Sequence, residues 1–165
     1  CHSVRQANRS AMLSLTSVCI EPNNCELWKA MRVRVCFTCL ESVPPTSWRL
    51  AFIADYSGER VRVELTRRAA GQYDAGSHTF ELETEEMDLG HIERQVLANV
   101  GLLQLSVASS DPAWGGGEGG EGGEGGEGAL SSVSGERVLL EMRSVTQVTV
   151  GANGHLIRSF YDPID

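Results

Sequence analysis

The sequence predicts an all-β protein, a sandwich of seven or eight short strands. Polar and apolar residues alternate through several stretches, which is typical of strands that bury one face. Clusters of Pro, Gly and Asn, such as Pro22-Asn23-Asn24 and Pro44-Pro45, separate these stretches and indicate turns. Short strands with frequent turns favour a β-sandwich over a helical fold.

The predicted strands follow one another from residue 12 to the end of the chain. The clearest alternation is M-R-V-R-V-C-F-T-C-L, in which Val33, Val35, Phe37 and Cys39 share one face. The set of predicted strands is Met12–Ile20, Ala30–Leu40, Trp48–Asp55, Arg60–Thr66, Ser77–Glu83, Leu97–Val107 and Arg137–Val150, with His155–Tyr161 as an eighth.

One helix and a duplicated turn complete the local predictions. The stretch Glu85–Gln95 is the one plausible helix, a short element between two strands. The segment S-G-E-R-V occurs twice, at residues 57–61 and 134–138. Each copy precedes a predicted strand, so we interpret both as exits from hairpins.

A Gly-Gly-Glu repeat separates two predicted strands. It contains a G-x-G-x-x-G match, but more glycine follows where a phosphate-binding motif needs a helix. The 37 residues after Gly128 are too few to form a core alone. We therefore predict a disordered hairpin loop at 111–134 inside one sandwich at 12–165, preceded by a flexible tail at 1–11, instead of a linker between two domains.

The charge of the chain argues against direct binding to nucleic acid. The net charge is −8, and Glu118, Glu121, Glu124 and Glu127 of the repeat supply half of it. The remainder is mildly acidic and lacks the basic patches that duplex DNA requires. No apolar run reaches membrane-spanning length, so we expect no membrane partner.

The residues that could carry catalysis or bind metal are scattered along the chain. Cys36 and Cys39 form a C-x-x-C, but no second pair completes a zinc site. Residues three apart in a strand point to opposite faces, so buried or half-buried free thiols are expected. No two histidines stand four residues apart. We therefore predict no enzyme activity, no cofactor and no metal.

Four motifs follow one another at characteristic spacing. They are F-T-C-L-E before a Pro turn and W-R-L-A-F-I, then A-G-Q-Y-D-A-G-S-H-T-F-E-L-E, then N-V-G-L-L-Q-L-S, then G-E-R-V-L. In order and spacing, from residue 12 to about residue 150, they resemble the anti-silencing-function family of histone H3–H4 chaperones. The corresponding family motifs are F-E-C-L with W-K, V-G-P-V-x-A-G-x-H-x-F-V-F, G-V-T-V-V-L-L-T and G-Q-E-F-I.

The resemblance implies an immunoglobulin-like β-sandwich with one long Gly/Glu-rich hairpin loop. It also implies a nuclear protein that binds the histone H3–H4 dimer for nucleosome assembly and disassembly, without catalysis or a cofactor. Its partners would then be histones H3 and H4.

The resemblance further implies a set of binding residues. In the family, outward apolar residues of the strand that resembles Leu97–Val107 line a groove for a histone H3 helix. Alternation turns Leu102 outward on this strand, and Leu103 and Leu105 inward. The stretch Leu156–Arg158 resembles the family strand that pairs with the histone H4 tail. The predicted histone-binding residues are Val100, Leu102, Gln104, Ser144, Val145, Ile157 and Arg158.

Three departures mark a divergent member. Ser144 stands where the family has an aromatic residue, and Arg62 stands near a family acid that contacts histone H3. Pro44–Ser47 replaces the acids with which the family docks other histone chaperones, so the sequence leaves that partnership open. These losses keep a second hypothesis open, an immunoglobulin-like adaptor module that binds a non-histone protein.

Overall fold

The computed structural model describes residues 12–56, 59–109 and 137–161. The predicted tail at 1–11 and the predicted loop at 111–134 lie outside these residues. The described part contains β1 (Leu13–Glu21), β2 (Cys25–Glu26), β3 (Arg32–Cys39), β4 (Thr46–Tyr56), β5 (Glu59–Ala70), β6 (Gly76–Glu83), α1 (Arg94–Leu97), β7 (Val100–Ser109), β8 (Arg137–Val150) and β9 (Leu156–Phe160).

The strands form two antiparallel sheets that pack face to face. The smaller sheet has the order β1-β3-β6, and the larger has the order β2-β9-β8-β7-β4-β5. Aromatic side chains bridge them, since the Trp48 ring of β4 lies 5.1 Å from Phe37 of β3 and 4.7 Å from Phe80 of β6, between centroids. This arrangement confirms the predicted all-β, immunoglobulin-like β-sandwich.

The core lies where the alternation of β3 predicted it. Val33, Val35, Phe37 and Cys39 are all buried on the inner face of this strand. Full burial of a side chain such as Val or Phe contributes about 1.5–3 kcal/mol relative to exposure. The alternating polar residues of β3, such as Arg34, remain on the outer face.

The connection before β7 differs from the prediction. The predicted helix at Glu85–Gln95 is wrong, because only Arg94–Leu97 is helical and β7 begins at Val100. The backbone of the connection bonds to distant partners, with the Met87 N–H donating to the Trp28 carbonyl at 2.8 Å. Met87 and Leu89 are both buried, at the spacing of an extended chain. The two-residue strand β2 was also missed.

The segment with the Gly-Gly-Glu repeat connects neighbouring strands. β7 and β8 pair antiparallel from Val100 with Gln147 to Ser109 with Arg137. The pairing agrees with the predicted hairpin connection. The first S-G-E-R-V copy leads into β5 at Glu59, and the second leads into β8. Within the described ranges, no helix has the length and apolar character needed to span a membrane.

Candidate protein-binding face

The outer face of the six-stranded sheet carries the predicted site residues of β7. This strand lies inside the sheet, between β4 and β8. Its inward residues Leu103, Leu105 and Val107 are fully buried in the core, as the alternation predicted. Val100 and Leu102 therefore point outward.

Outward residues of neighbouring strands stand side by side in rows. The central row is Val145–Leu102–Ile53–Arg62, across β8, β7, β4 and β5. The following rows are Arg143–Gln104–Ala51–Glu64 and Glu141–Ser106–Arg49–Arg67. Cβ atoms of directly opposed residues are about 4.5–5.5 Å apart. The central row is thus apolar on β8, β7 and β4 and charged on β5, whereas the two following rows carry charged residues on both β8 and β5.

Four residues, Val100, Leu102, Val145 and Tyr161, form what we call the apolar corner. Val100 is 54% exposed, Val145 41% and Tyr161 52%, while Leu102 is half-buried. The Tyr161 N–H donates to the Val145 carbonyl at 3.1 Å, and its hydroxyl donates to Oε1 of Gln147 at 2.7 Å. The sequence predicted the first three residues but missed Tyr161, which supplies an aromatic ring to this face.

Arg62 lies across the outer face of β4. Its Nε donates to Oε1 of Gln104 at 3.4 Å, so the side chain reaches from β5 to β7. Ala51 is fully buried and Ile53 is only 7% exposed, although both point outward. The aliphatic part of Arg62 covers this apolar surface, whereas the residue as a whole remains exposed. The predicted contact Gln104 is itself nearly buried beneath it.

Arginine dominates the charge on the β4–β5 side of the face. The outward arginines of these strands, which we call the arginine edge, are Arg49, Arg60, Arg62 and Arg67. Glu64 is the single outward acid among the side chains that the structure describes on these two strands. On β8, Arg143 and Glu141 form an ion pair at 2.6 Å. Among the described side chains of this face, arginines therefore outnumber acids, although the net charge of the chain is −8.

Ser144 lies on the inner side of the sheet. It is nearly buried, and its hydroxyl donates to the Tyr161 carbonyl at 3.0 Å. Alternation along β8 places it on the face opposite to Val145. Ser144 is thus turned away from the exposed face, and its role as a histone-binding residue stays a prediction.

Arg158 is a buried structural residue. Its Nη1 donates to the carbonyls of Leu27 and Lys29 at 2.8 and 2.7 Å, and its Nη2 donates to Ala30 at 3.4 Å. The side chain is completely inaccessible, and burial lowers the pKa of Arg158. It anchors the segment between β2 and β3 to β9. No part of Arg158 reaches the surface in this structure, so its burial does not support a histone contact, which stays a prediction.

Ile157 points outward, but the edge of β9 beside it is occupied. β2 pairs there through Cys25 with Arg158 and Glu26 with Ile157. The Asn23 side chain continues this pairing, since its Oδ1 accepts the Phe160 N–H at 2.9 Å. The pairing with a histone H4 tail that the resemblance implied would require β2 to leave this edge.

The cysteines of the C-x-x-C motif lie on opposite faces of β3, as predicted. Cys39 is in the core, where desolvation raises its pKa. Cys36 is half-buried, and hydrogen bonds from Ser17 and Thr79 lower its pKa. The two thiols cannot converge on one ion. Within the described part of the chain, no group of His, Cys, Asp and Glu residues is arranged to hold a metal.

The segment Pro44–Ser47, where the resemblance places the docking of other chaperones, lies partly within the sandwich. Thr46 and Ser47, which replace family acids, are the first residues of β4 and are buried. Ser47 accepts a hydrogen bond from Nε of Arg67 at 3.0 Å. Before them, Val43 exchanges backbone hydrogen bonds with Tyr73 at 2.7 and 2.9 Å. No acidic side chain is present at these positions.

Comparison with known proteins identifies the family. The model of the ASF1 like histone chaperones matches residues 10–112, a range that extends from before β1 to beyond β7. Val100, Leu102 and the arginine edge fall inside the matched range, whereas β8 and β9 follow it. A search of curated proteins finds no match. Because the family match covers more than half of the chain, this protein belongs to the ASF1-like histone chaperone family.

Proposed function

We propose that the chain is a nuclear chaperone of the histone H3–H4 dimer and acts in nucleosome assembly and disassembly. Family membership supports a histone partner. The observation that carries the proposal is the apolar corner, where Val100, Leu102, Val145 and Tyr161 leave apolar surface in water. Adjoining exposed apolar residues are typical of protein-binding sites.

Binding would depend on the burial of apolar surface and not on a chemical reaction. A histone helix that packs on the apolar corner removes these four side chains from water, and each fully buried one contributes about 1.5–3 kcal/mol. Gln104 and Ile157 lie on the same face and remain predicted contacts at its margin. If the bound histone helix belongs to the surface through which two H3–H4 dimers join, binding would prevent them from forming a tetramer. The proposal includes no catalytic step and no cofactor.

Replacing Leu102 with arginine tests the site. Leu102 lies outside the hydrophobic core, so Leu102→Arg should change the melting temperature little. In a complex it would place a charge among apolar atoms, which is unfavourable. We expect the affinity for purified H3–H4 dimer to fall about a hundredfold, equivalent to ~3 kcal/mol at 1.4 kcal/mol per decade. Isothermal titration calorimetry measures the affinity directly.

Leu40→Arg is the matched control. Leu40 follows β3 on the other sheet and is 74% exposed, so the same substitution there should leave histone binding intact. An equal loss in both variants, or no loss in Leu102→Arg, would remove the apolar corner from the interface. A large drop in the melting temperature of Leu102→Arg would mean that Leu102 stabilises the folded protein.

The arginine edge favours a second function, that of an adaptor for a non-histone protein. Histones are basic, and positive charges on both partners repel each other. Capture of purified H3–H4 at moderate and at high salt discriminates between the two functions. Binding that persists at high salt supports a histone interface based on apolar burial, since salt screens charge. Absence of capture at both salt concentrations supports the adaptor.

A further inference from the structure

The arginine edge is placed beside the apolar corner at a distance that suits a bound helix. Arg62 belongs to the same row as Leu102, with Ile53 between them. Neighbouring strands are about 4.7–4.9 Å apart, so Arg62 and Leu102 are separated by about 10 Å at the backbone. An α-helix with its side chains is about 10–12 Å wide. A helix seated on Leu102 extends about 5–6 Å to each side of its axis. The Arg62 side chain spans the remaining distance, since its Nε reaches Gln104 of β7, and so brings its guanidinium to one flank of the helix.

Arginine predominates among the charges described at this flank. Arg60, Arg62 and Arg67 lie at outward positions of β5, and Glu64 is the only outward acid there among the described side chains. The Arg62 stem covers Ala51 and Ile53, which explains why a long side chain lies there but not why it ends in a cation. A neutral or acidic long side chain would cover the same surface. The positive charge of Arg62 can therefore discriminate between partners by the charge that they carry.

We infer that the occupant of this face is an amphipathic protein helix whose β5-side flank carries carboxylates. Its apolar residues pack on Leu102 and the rest of the apolar corner, and its acidic residues lie over Arg62. Arginine suits this role because its planar guanidinium can donate two parallel hydrogen bonds to one carboxylate. The inference rests on the proposed function in using the same face, and it adds the charge that the bound segment must carry.

Two matched peptides test the inference. Both are amphipathic helices of about 20 residues with apolar residues at i, i+3, i+4 and i+7, and they differ only in one flank, which is Glu in one and Lys in the other. Fluorescence anisotropy with the full chain measures their affinities. We expect the Glu peptide to bind about tenfold or more tightly than the Lys peptide. Arg62→Glu should abolish or reverse that preference, since it inverts the charge under the flank.

Arg32→Glu is the control for a change in net charge. Arg32 lies on the other sheet in an ion pair with Glu83 at 2.8 Å, so this variant should keep the wild-type preference for the Glu peptide. Equal affinities, preference for the Lys peptide, or no binding of either peptide would overturn the inference. Binding of a DNA duplex of about 20 base pairs that disappears in Arg62→Glu would also overturn it, because the arginines would then serve phosphates.

The outcomes separate this inference from the proposed function. The H3–H4 titration reports on the histone partner, and the peptide pair reports on charge selection by the face. If the Glu peptide is preferred while H3–H4 does not bind, charge selection stands and the histone proposal fails. If H3–H4 binds through Leu102 while the peptides show no preference, the histone proposal stands and charge selection fails.

Discussion

Arg158 provides a stringent test of how the sandwich is held together. It is the only arginine that is completely buried in the described residues, and it satisfies three backbone carbonyls from the segment between β2 and β3. These carbonyls belong to residues that lie between the two strands, outside the ladders of the sheets. Replacing Arg158 with methionine keeps an apolar chain of similar length but removes every donor.

The expected cost follows from two opposing contributions. The two short hydrogen bonds, at 2.8 and 2.7 Å, are charge-assisted and each contributes about 1.5–3 kcal/mol. Burying the guanidinium costs several kcal/mol, and the lowered pKa of Arg158 shows the direction of this penalty. Methionine removes the penalty but leaves buried carbonyls unpaired at about 1–3 kcal/mol each. We therefore expect Arg158→Met to reduce the free energy of unfolding by about 2–4 kcal/mol.

Urea denaturation followed by tryptophan fluorescence measures this loss. Arg143→Met is the matched control, because Arg143 is on the surface and half exposed, and its removal should change stability by no more than about 0.5 kcal/mol. An Arg158→Met variant as stable as the wild type would refute the structural role. If that variant also lost H3–H4 binding, Arg158 would instead be the histone contact that the family resemblance implied.

Two further predictions concern the core and the thiols. Gly101→Ala should lower the free energy of unfolding by about 1–3 kcal/mol in urea denaturation, since the added Cβ would lie 2.6 Å from Cζ of the Phe52 ring, whereas Gly71→Ala, with open space around it, should not. Equal stability of the two variants would show that the Phe52 ring can move to accommodate the added methyl group. Cys36 should react with iodoacetamide faster than Cys39 in the folded protein, because its lowered pKa gives more thiolate at a given pH while burial raises the pKa of Cys39. Mass spectrometry of tryptic peptides at several time points measures both rates, and equal rates would contradict the assigned environments.

Most of the fold could be predicted from local sequence patterns, because most strands bury one face. The alternation of Val33, Val35 and Phe37, and that of Leu103 and Leu105, separated inward from outward residues correctly. Elements without such a pattern were not predictable. β2 is only two residues long, and the stretch at 85–89, which precedes a turn, is held by a hydrogen bond from the Met87 N–H to the carbonyl of the distant residue Trp28.

The site was less predictable because it depends on which strands are neighbours. Alternation could turn Leu102 and Val145 outward, but it could not show that they share a row with Arg62. Arg158 alternates with Leu156 and Phe160, so the pattern alone places it inside. It was predicted as a histone contact because Leu156–Arg158 resembles the family strand that pairs with the histone H4 tail. The same alternation along β9 turns Tyr161 toward the outer face, and the prediction overlooked it.

The family match ends close to the end of β7, and β8 is the strand that pairs with β7 on that side of the sheet. A fragment cut at residue 112 would turn an interior strand into an edge ten residues long, with its backbone groups unpaired. It would also remove Met142, Val148 and Phe160 from the core. The smallest piece of this protein that can stay soluble therefore extends well past its recognisable part, and any truncation series should keep the chain through residue 161.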